Sequence, residues 1–174
     1  MKRLVFILLG VILITNIIWG IVYNEKNSKS SKSVVHVYTL NGKGELWDIS
    51  DYKIIVTEDK ILRGNGKLTY KGAPKNIENS TYYKYDFKEM NSTEKYETVY
   101  THEASSSGGP VAILENLDND TGSITGDYSY NELLKDKQNY ESTTLTITWN
   151  DNNKELHTET IDLDIDSEIA IDNN

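Results

Sequence analysis

The fold class this 174-residue sequence predicts is all-β: an antiparallel β-sandwich of seven to nine strands, preceded by one N-terminal transmembrane helix. Three observations carry that expectation. From Val34 onward, apolar and aromatic residues recur with a period of two, in short runs divided by turn-forming residues about every 8–12 positions. No strand–helix–strand alternation interrupts them, which argues against a parallel α/β sheet. Ahead of them stands an uncharged apolar run, Leu4–Tyr23. A closed barrel is the alternative architecture, because strand count does not separate it from a sandwich.

Leu4–Tyr23 is 20 residues long, and only Thr15 and Asn16 interrupt its apolar character. As a helix it would be about 30 Å long, enough to cross a bilayer core. Lys2 and Arg3 precede it and favour a cytoplasmic N-terminus, although Lys26, Lys29 and Lys32 beyond it weaken the asymmetry. No small-x-small cleavage triplet follows, and the chain has no cysteine to carry a lipid. Residues 1–23 therefore read as an uncleaved signal anchor, with a single pass through the cell membrane and an extracytoplasmic C-terminal domain. Asn24–Ser33, polar and rich in Ser and Lys, reads as a flexible tether.

The β domain is expected over residues 34–166. Val34–Leu40 reads as a strand ended by Asn41-Gly42-Lys43-Gly44. Trp47–Thr57 alternates in two registers, Trp47 and Ile49, then Tyr52, Ile54 and Val56. That shift implies a bulge near Ser50-Asp51 or two short strands. Ile61–Lys71 reads as a strand kinked at Gly64-Asn65-Gly66. Thr81–Met90 sets Tyr83, Tyr85 and Phe87 on one face, and Glu94–Thr101 follows it across a hairpin at Asn91-Ser92-Thr93.

Ala104–Pro110 reads as a loop, Val111–Glu115 as a short strand, and Gly122–Tyr130 as another. Asn131–Gln138 has helix formers behind a capping Asn131. Glu141–Asn150 and Lys154–Ile165 form a hairpin about Asp151-Asn152-Asn153. The tail from Asp166 reads as frayed, with residues 167–174 disordered.

Charge divides unevenly. Residues 34–174 carry 13 basic and 26 acidic side chains, a net of −13, and all of that excess lies beyond Lys95, where 3 basic face 17 acidic residues. So acidic a half disfavours nucleic acid, anionic lipid and anionic polymers as direct ligands. It admits cations or a basic protein surface. With no cysteine, an exported domain must be held by its core alone.

Chemistry-bearing motifs are few. His36, His102 and His157 show no recurring ligand spacing. Asp118-Asn119-Asp120-Thr121-Gly122 resembles a calcium loop superficially but departs from the EF-hand pattern in its glycine and its missing terminal Glu. Asp162, Asp164 and Asp166 alternate along one expected strand, where a solvated face competes with cation binding. The candidate Ca²⁺ set is accordingly Asp162 and Asp164 with Asp118 and Asp120. No G-x-S-x-G or H-E-x-x-H occurs, which argues against an enzyme. Eleven of the twelve tyrosines lie beyond the apolar run. Tyr82, out of phase with its neighbours, is the one expected to be exposed and to serve binding.

Trp47-Asp48-Ile49, Tyr52, Ile54–Thr57 and Gly64–Gly72, followed by Thr121–Gly126 and Ile147–Asp151, resemble a family of small membrane-anchored proteins of bacilli. These are strand-and-turn signatures spanning most of the exported domain. The resemblance implies an immunoglobulin-like β domain on a membrane tether, with no assigned biochemical activity, and transfers no site residues. The expected function is a binding or protein-interaction module at a Gram-positive cell envelope, with an envelope protein as partner and no nucleic acid. The alternative is a cation or small-ligand sensor using the acidic C-terminal half.

Overall fold

Strands form where the sequence places bulky side chains at every second position, because one face of each can then leave water. The computed structural model describes residues 14–19, 34–117, 120–127 and 135–172. Of the expected signal anchor only residues 14–19 are among these, and they are helical. The remainder of that segment and the 24–33 tether lie outside the described residues. No helix among the described residues is long and apolar enough to cross a membrane.

Val34–Ile171 forms one folded unit. Its strands are β1 (Val34–Lys43), β2 (Trp47–Val56), β3 (Lys60–Gly64), β4 (Lys67–Tyr70) and β5 (Tyr82–Met90), then β6 (Tyr96–Ser105), β7 (Ser123–Asp127), β8 (Thr144–Asn150), β9 (Leu156–Asp162) and β10 (Asp164–Asp172). Among the described residues ten strands thus stand where seven to nine were expected. One sheet runs β10-β1-β2-β3-β7, with β4 also on β2; the other runs β6-β5-β8-β9. The β1–β2, β2–β3, β2–β4, β3–β7, β5–β6, β5–β8 and β8–β9 ladders are antiparallel. Two such sheets with a shared interior make a β-sandwich.

The two registers of Trp47–Thr57 resolve into one strand with a bulge. Asn41 of β1 faces both Ser50 and Asp51, since Leu40 pairs with Tyr52 and Gly42 with Ile49. Asp51 takes a left-handed φ of 57°, and its N–H donates to Asn41 Oδ1 at 2.8 Å. The extra residue turns Trp47, Ile49, Tyr52 and Ile54 all inward, each 2% exposed or less. Opposite the bulge the expected Ile61–Lys71 strand breaks into β3 and β4. Gly64 (φ 134°) and Asn65 (φ 57°) make that break. β1 runs on through Gly42, whose Cα lies so close to Ile49 and the Asp162 carbonyl that a side chain would not fit.

Aromatic rings fill the space between the sheets. Tyr52 stacks on Phe87 with centroids 4.0 Å apart, and Trp47 meets Trp149 edge-on at 5.7 Å. Burying a side chain of this size contributes about 2–3 kcal/mol, and Phe or Trp to Ala in such a place costs about 3–5 kcal/mol.

Three expected elements differ. Val111–Glu115 is no strand: Ile113–Leu117 is a short helix preceded by Ala112 at φ 49°, and it buries Ile113. The described helix near the expected 131–138 is Lys137–Glu141, capped by Asp136, whose side chain and that of Asn139 bond each other's backbone N–H. Residues 131–134, with the expected capping Asn131, lie outside the described residues. The expected strand Lys154–Ile165 and frayed tail become β9 and β10, joined at Leu163. This residue is buried, donates its N–H to Thr143 O at 2.9 Å, and passes the chain from one sheet to the other. Pairing of β10 beside β1 orders the tail through Asp172.

The alternation of β5 continues past Phe87 to Glu89, which is fully buried. Arg63 of β3 clamps it from Nε at 2.6 Å and a terminal nitrogen at 2.8 Å, and Lys135 Nζ reaches it at 2.7 Å. Burial alone would raise the Glu89 pKa. The bonds and charges of Arg63, then Lys135, outweigh it and hold the carboxyl below its ordinary value. Burial, with Glu89 near, also pushes the Tyr52 hydroxyl well above its ordinary range, and that hydroxyl has no hydrogen-bond partner among the described residues.

Two outcomes are expected. Tyr52→Phe removes an unbonded buried hydroxyl and raises stability by up to about 1 kcal/mol in chemical denaturation; a loss would mean that the hydroxyl is bonded. Glu89→Gln leaves two cations without their anion and costs about 3–5 kcal/mol. Because the Glu89 pKa is lower folded than unfolded, its contribution is complete above the ordinary value of 4.5 and is lost as pH falls below it. Acid unfolding of the Gln variant should accordingly depend less steeply on pH in that range.

Candidate functional site

At one end of the sandwich, an open cleft of about 550 Å³ lies between the β8–β9 hairpin, the end of β4 and the turn Pro74–Asn76. Each wall is held by local chemistry. Pro74 presets the first turn of a single 3₁₀ helix. The β1–β2 turn carries Leu46 to the rim: its N–H donates to Glu159 Oε2 at 3.1 Å, and its carbonyl accepts Lys71 N–H at 2.8 Å. Asn152 ties the hairpin to the opposite wall. Its Oδ1 accepts Asn79 N–H at 2.9 Å, its Nδ2 donates to Lys75 O at 2.6 Å, and its own N–H reaches Asn76 O at 3.0 Å.

The floor is aromatic. Tyr70 leans on Trp47 at 4.9 Å, Trp47 meets Trp149, and Trp149 stacks on His157 at 5.5 Å with planes 25° apart. That last contact follows from the register, in which Trp149 and His157 are cross-strand partners. His157 Nε2 lies 3.3 Å from Asp151 Oδ2. The other carboxylate oxygen, Oδ1, accepts the N–H groups of Asn153 at 2.8 Å and Glu155 at 2.9 Å. Burial works against the Asp151 charge, but the Glu155 N–H, His157 and the Asn153 N–H together hold its carboxyl below the ordinary range. Asp151, Glu155 and His157 each offer a ligand atom within 4.8 Å of the others, the one such group among the described residues. Chemically, the cleft offers apolar ring surface, fixed amides and a half-buried anionic corner.

A second hollow, of about 430 Å³, lies beside Tyr83, Tyr100, His102 and Asp120. Its hydroxyls are turned to structure: Tyr85 and Tyr100 both donate to the Thr121 carbonyl, the latter at 2.6 Å, and Tyr83 Oη lies 3.2 Å from His102 Nε2.

Of the four aspartates expected to form a Ca²⁺ set, the three described ones do not all come together. Asp162 closes β9 and Asp164 opens β10, both exposed, with buried Leu163 between them. Asp120 lies just before β7, where its Oδ1 accepts Gly122 N–H at 2.7 Å. β7 and β10 are opposite edges of the same sheet, about 19 Å apart at ordinary strand spacing. Asp118 lies outside the described residues. Tyr82, expected to be exposed, is half-buried on the outer face of β5 and does not line the cleft; burial first, then the Glu103 charge, raise its pKa. Missed in the sequence was the group around His157. A hairpin turning at Asp151–Asn153 was expected, and its return from Lys154 would have set His157 opposite Ile147; the observed register, Asn150 opposite Leu156, is two residues longer and sets His157 opposite Trp149, beside Asp151.

No family model, curated protein or solved structure matches the chain.

Replacing Asn152 with Ala removes both side-chain bonds across the cleft. The expected result is a loss of about 1–2 kcal/mol and faster amide hydrogen exchange at Asn79. Unchanged exchange at Asn79 would show that the hairpin keeps its place without them.

Proposed function

We propose that this protein is a membrane-anchored, extracytoplasmic binding module, whose β-sandwich presents the cleft at the β8–β9 end to a protein partner of the cell envelope. In this reading Leu4–Tyr23 is the single-pass signal anchor, the N-terminus is cytoplasmic and residues 24–33 are the tether. The domain is immunoglobulin-like, and the chain is one of the small membrane-anchored proteins of bacilli that its motifs resemble. It binds rather than catalyses, and nucleic acid is not its ligand.

The observation that carries the reading is the cleft. It combines aromatic rings, amides and an ion-pairing corner on elements tied together by Asn152, a composition suited to holding a partner's side chains. The net charge of −13 beyond the tether favours a basic partner surface. The second reading, a cation or small-ligand sensor in the acidic half, is favoured by one observation, the convergence of Asp151, Glu155 and His157.

In-cell crosslinking of the full-length protein, with mass spectrometry of its adducts, tests the first reading. One reproducible envelope protein, crosslinked through residues around the cleft, is the expected outcome. Self-adducts alone, or adducts only at sites remote from the cleft, would overturn it.

A further inference from the structure

We infer that Asp151, Glu155 and His157 form a binding site for a divalent transition-metal cation of the zinc class, at the rim of the cleft. The inference deepens the reading of that cleft as the binding surface and rests on it.

Three geometric facts carry it. A tetrahedral Zn²⁺ with bonds of about 2.0–2.1 Å has its ligand atoms about 3.3–3.4 Å apart. Asp151 Oδ2 and His157 Nε2 already stand at 3.3 Å, one edge of such a tetrahedron. The third ligand atom, on Glu155, lies within 4.8 Å of both, and Glu155 is exposed, so rotation of its side chain closes the set.

The ligands are also oriented by groups that do not themselves ligate. Asp151 Oδ1 is engaged by the Asn153 and Glu155 N–H groups, which leaves Oδ2 to the metal. The Asp151 N–H donates back to Glu155 O at 3.0 Å, so the two carboxylate-bearing residues are fixed side by side. The His157 ring is held by stacking on Trp149. Lys154 lies within the same turn, but its Nζ bonds Asn79 O at 2.9 Å, which anchors that charge on the opposite loop.

The donor set selects among cations. One imidazole and two carboxylates suit zinc and its neighbours. Ca²⁺ requires about 6–8 oxygen ligands, more than this corner supplies, and Mg²⁺ keeps its waters. With three protein ligands, one tetrahedral position stays open for a water or for a partner's side chain. A metal there would join the partner reading to the sensor reading, since the cation would form part of the surface that the partner meets.

The test is competition for Zn²⁺ between the full-length protein in mild detergent and a chromophoric chelator, with Ca²⁺ and Mg²⁺ as controls. Co²⁺ serves as a visible-absorption probe of tetrahedral geometry. One equivalent of Zn²⁺ is expected, with a tetrahedral Co²⁺ spectrum and no competition from Ca²⁺ or Mg²⁺. Glu155→Gln and His157→Ala should each weaken binding by about tenfold or more. Glu155 is exposed, so its variant tests the site without disturbing the core, and chelator-treated melting curves serve as the folding control.

Failure to bind one equivalent, or an affinity in both variants unchanged from that of the parent protein, would overturn the inference. Crosslinking separates it from the broader reading. Adducts through the cleft without zinc binding would sink the metal site alone. Zinc binding without cleft adducts would support the metal site and remove the partner.

Discussion

Asp51 bulges out of β2 at φ 57°, and that one residue lets Trp47 and Ile49, then Tyr52 and Ile54, face the same interior. A regular strand would put Trp47 and Tyr52 on opposite faces, because they are five positions apart and the period is two. The two ends of the molecule depend on this. On the Tyr52 side, the ring lies against Phe87 and under the Arg63–Glu89–Lys135 cluster. On the Trp47 side, the ring supports Tyr70 and Trp149, which floor the cleft.

The buried charges and the aromatic core play different parts. Apolar ring area supplies the non-directional driving force, and many packings of comparable volume would release similar free energy. Glu89 is satisfied only when Arg63 and Lys135 both reach it. A slip of β5 by one residue would turn it outward and leave the cations buried. We read the cluster as a device of register more than of net stability.

At the cleft, rigidity comes from hydrogen bonds rather than burial. Asn152 bonds three backbone groups on residues 75–79, and Asp151 Oδ1 takes two N–H groups of its own turn. A small loop held this way keeps its ligand atoms in place without a hydrophobic core of its own. Turns braced by the strands beneath, at the end of a sandwich, are where binding residues are usually positioned.

Period-two alternation made most strands legible, because burial of one face is a local property of spacing. Tyr83, Tyr85 and Phe87 were read as one face and are one face; the bulge at Asp51 was announced by the shift between Ile49 and Tyr52. The turn at Asp151 was legible from its own residue types. What the tertiary structure alone decided concerns partners distant in sequence. Leu163 moves the chain between sheets because it has an interior to enter and Thr143 to bond. β10 is ordered because β1 offers it an edge, although its own residues are mostly exposed and weakly patterned. The same logic separates Asp120 from Asp162 and joins His157 to Asp151: side chains converge according to strand order and register, which no local run of residues encodes.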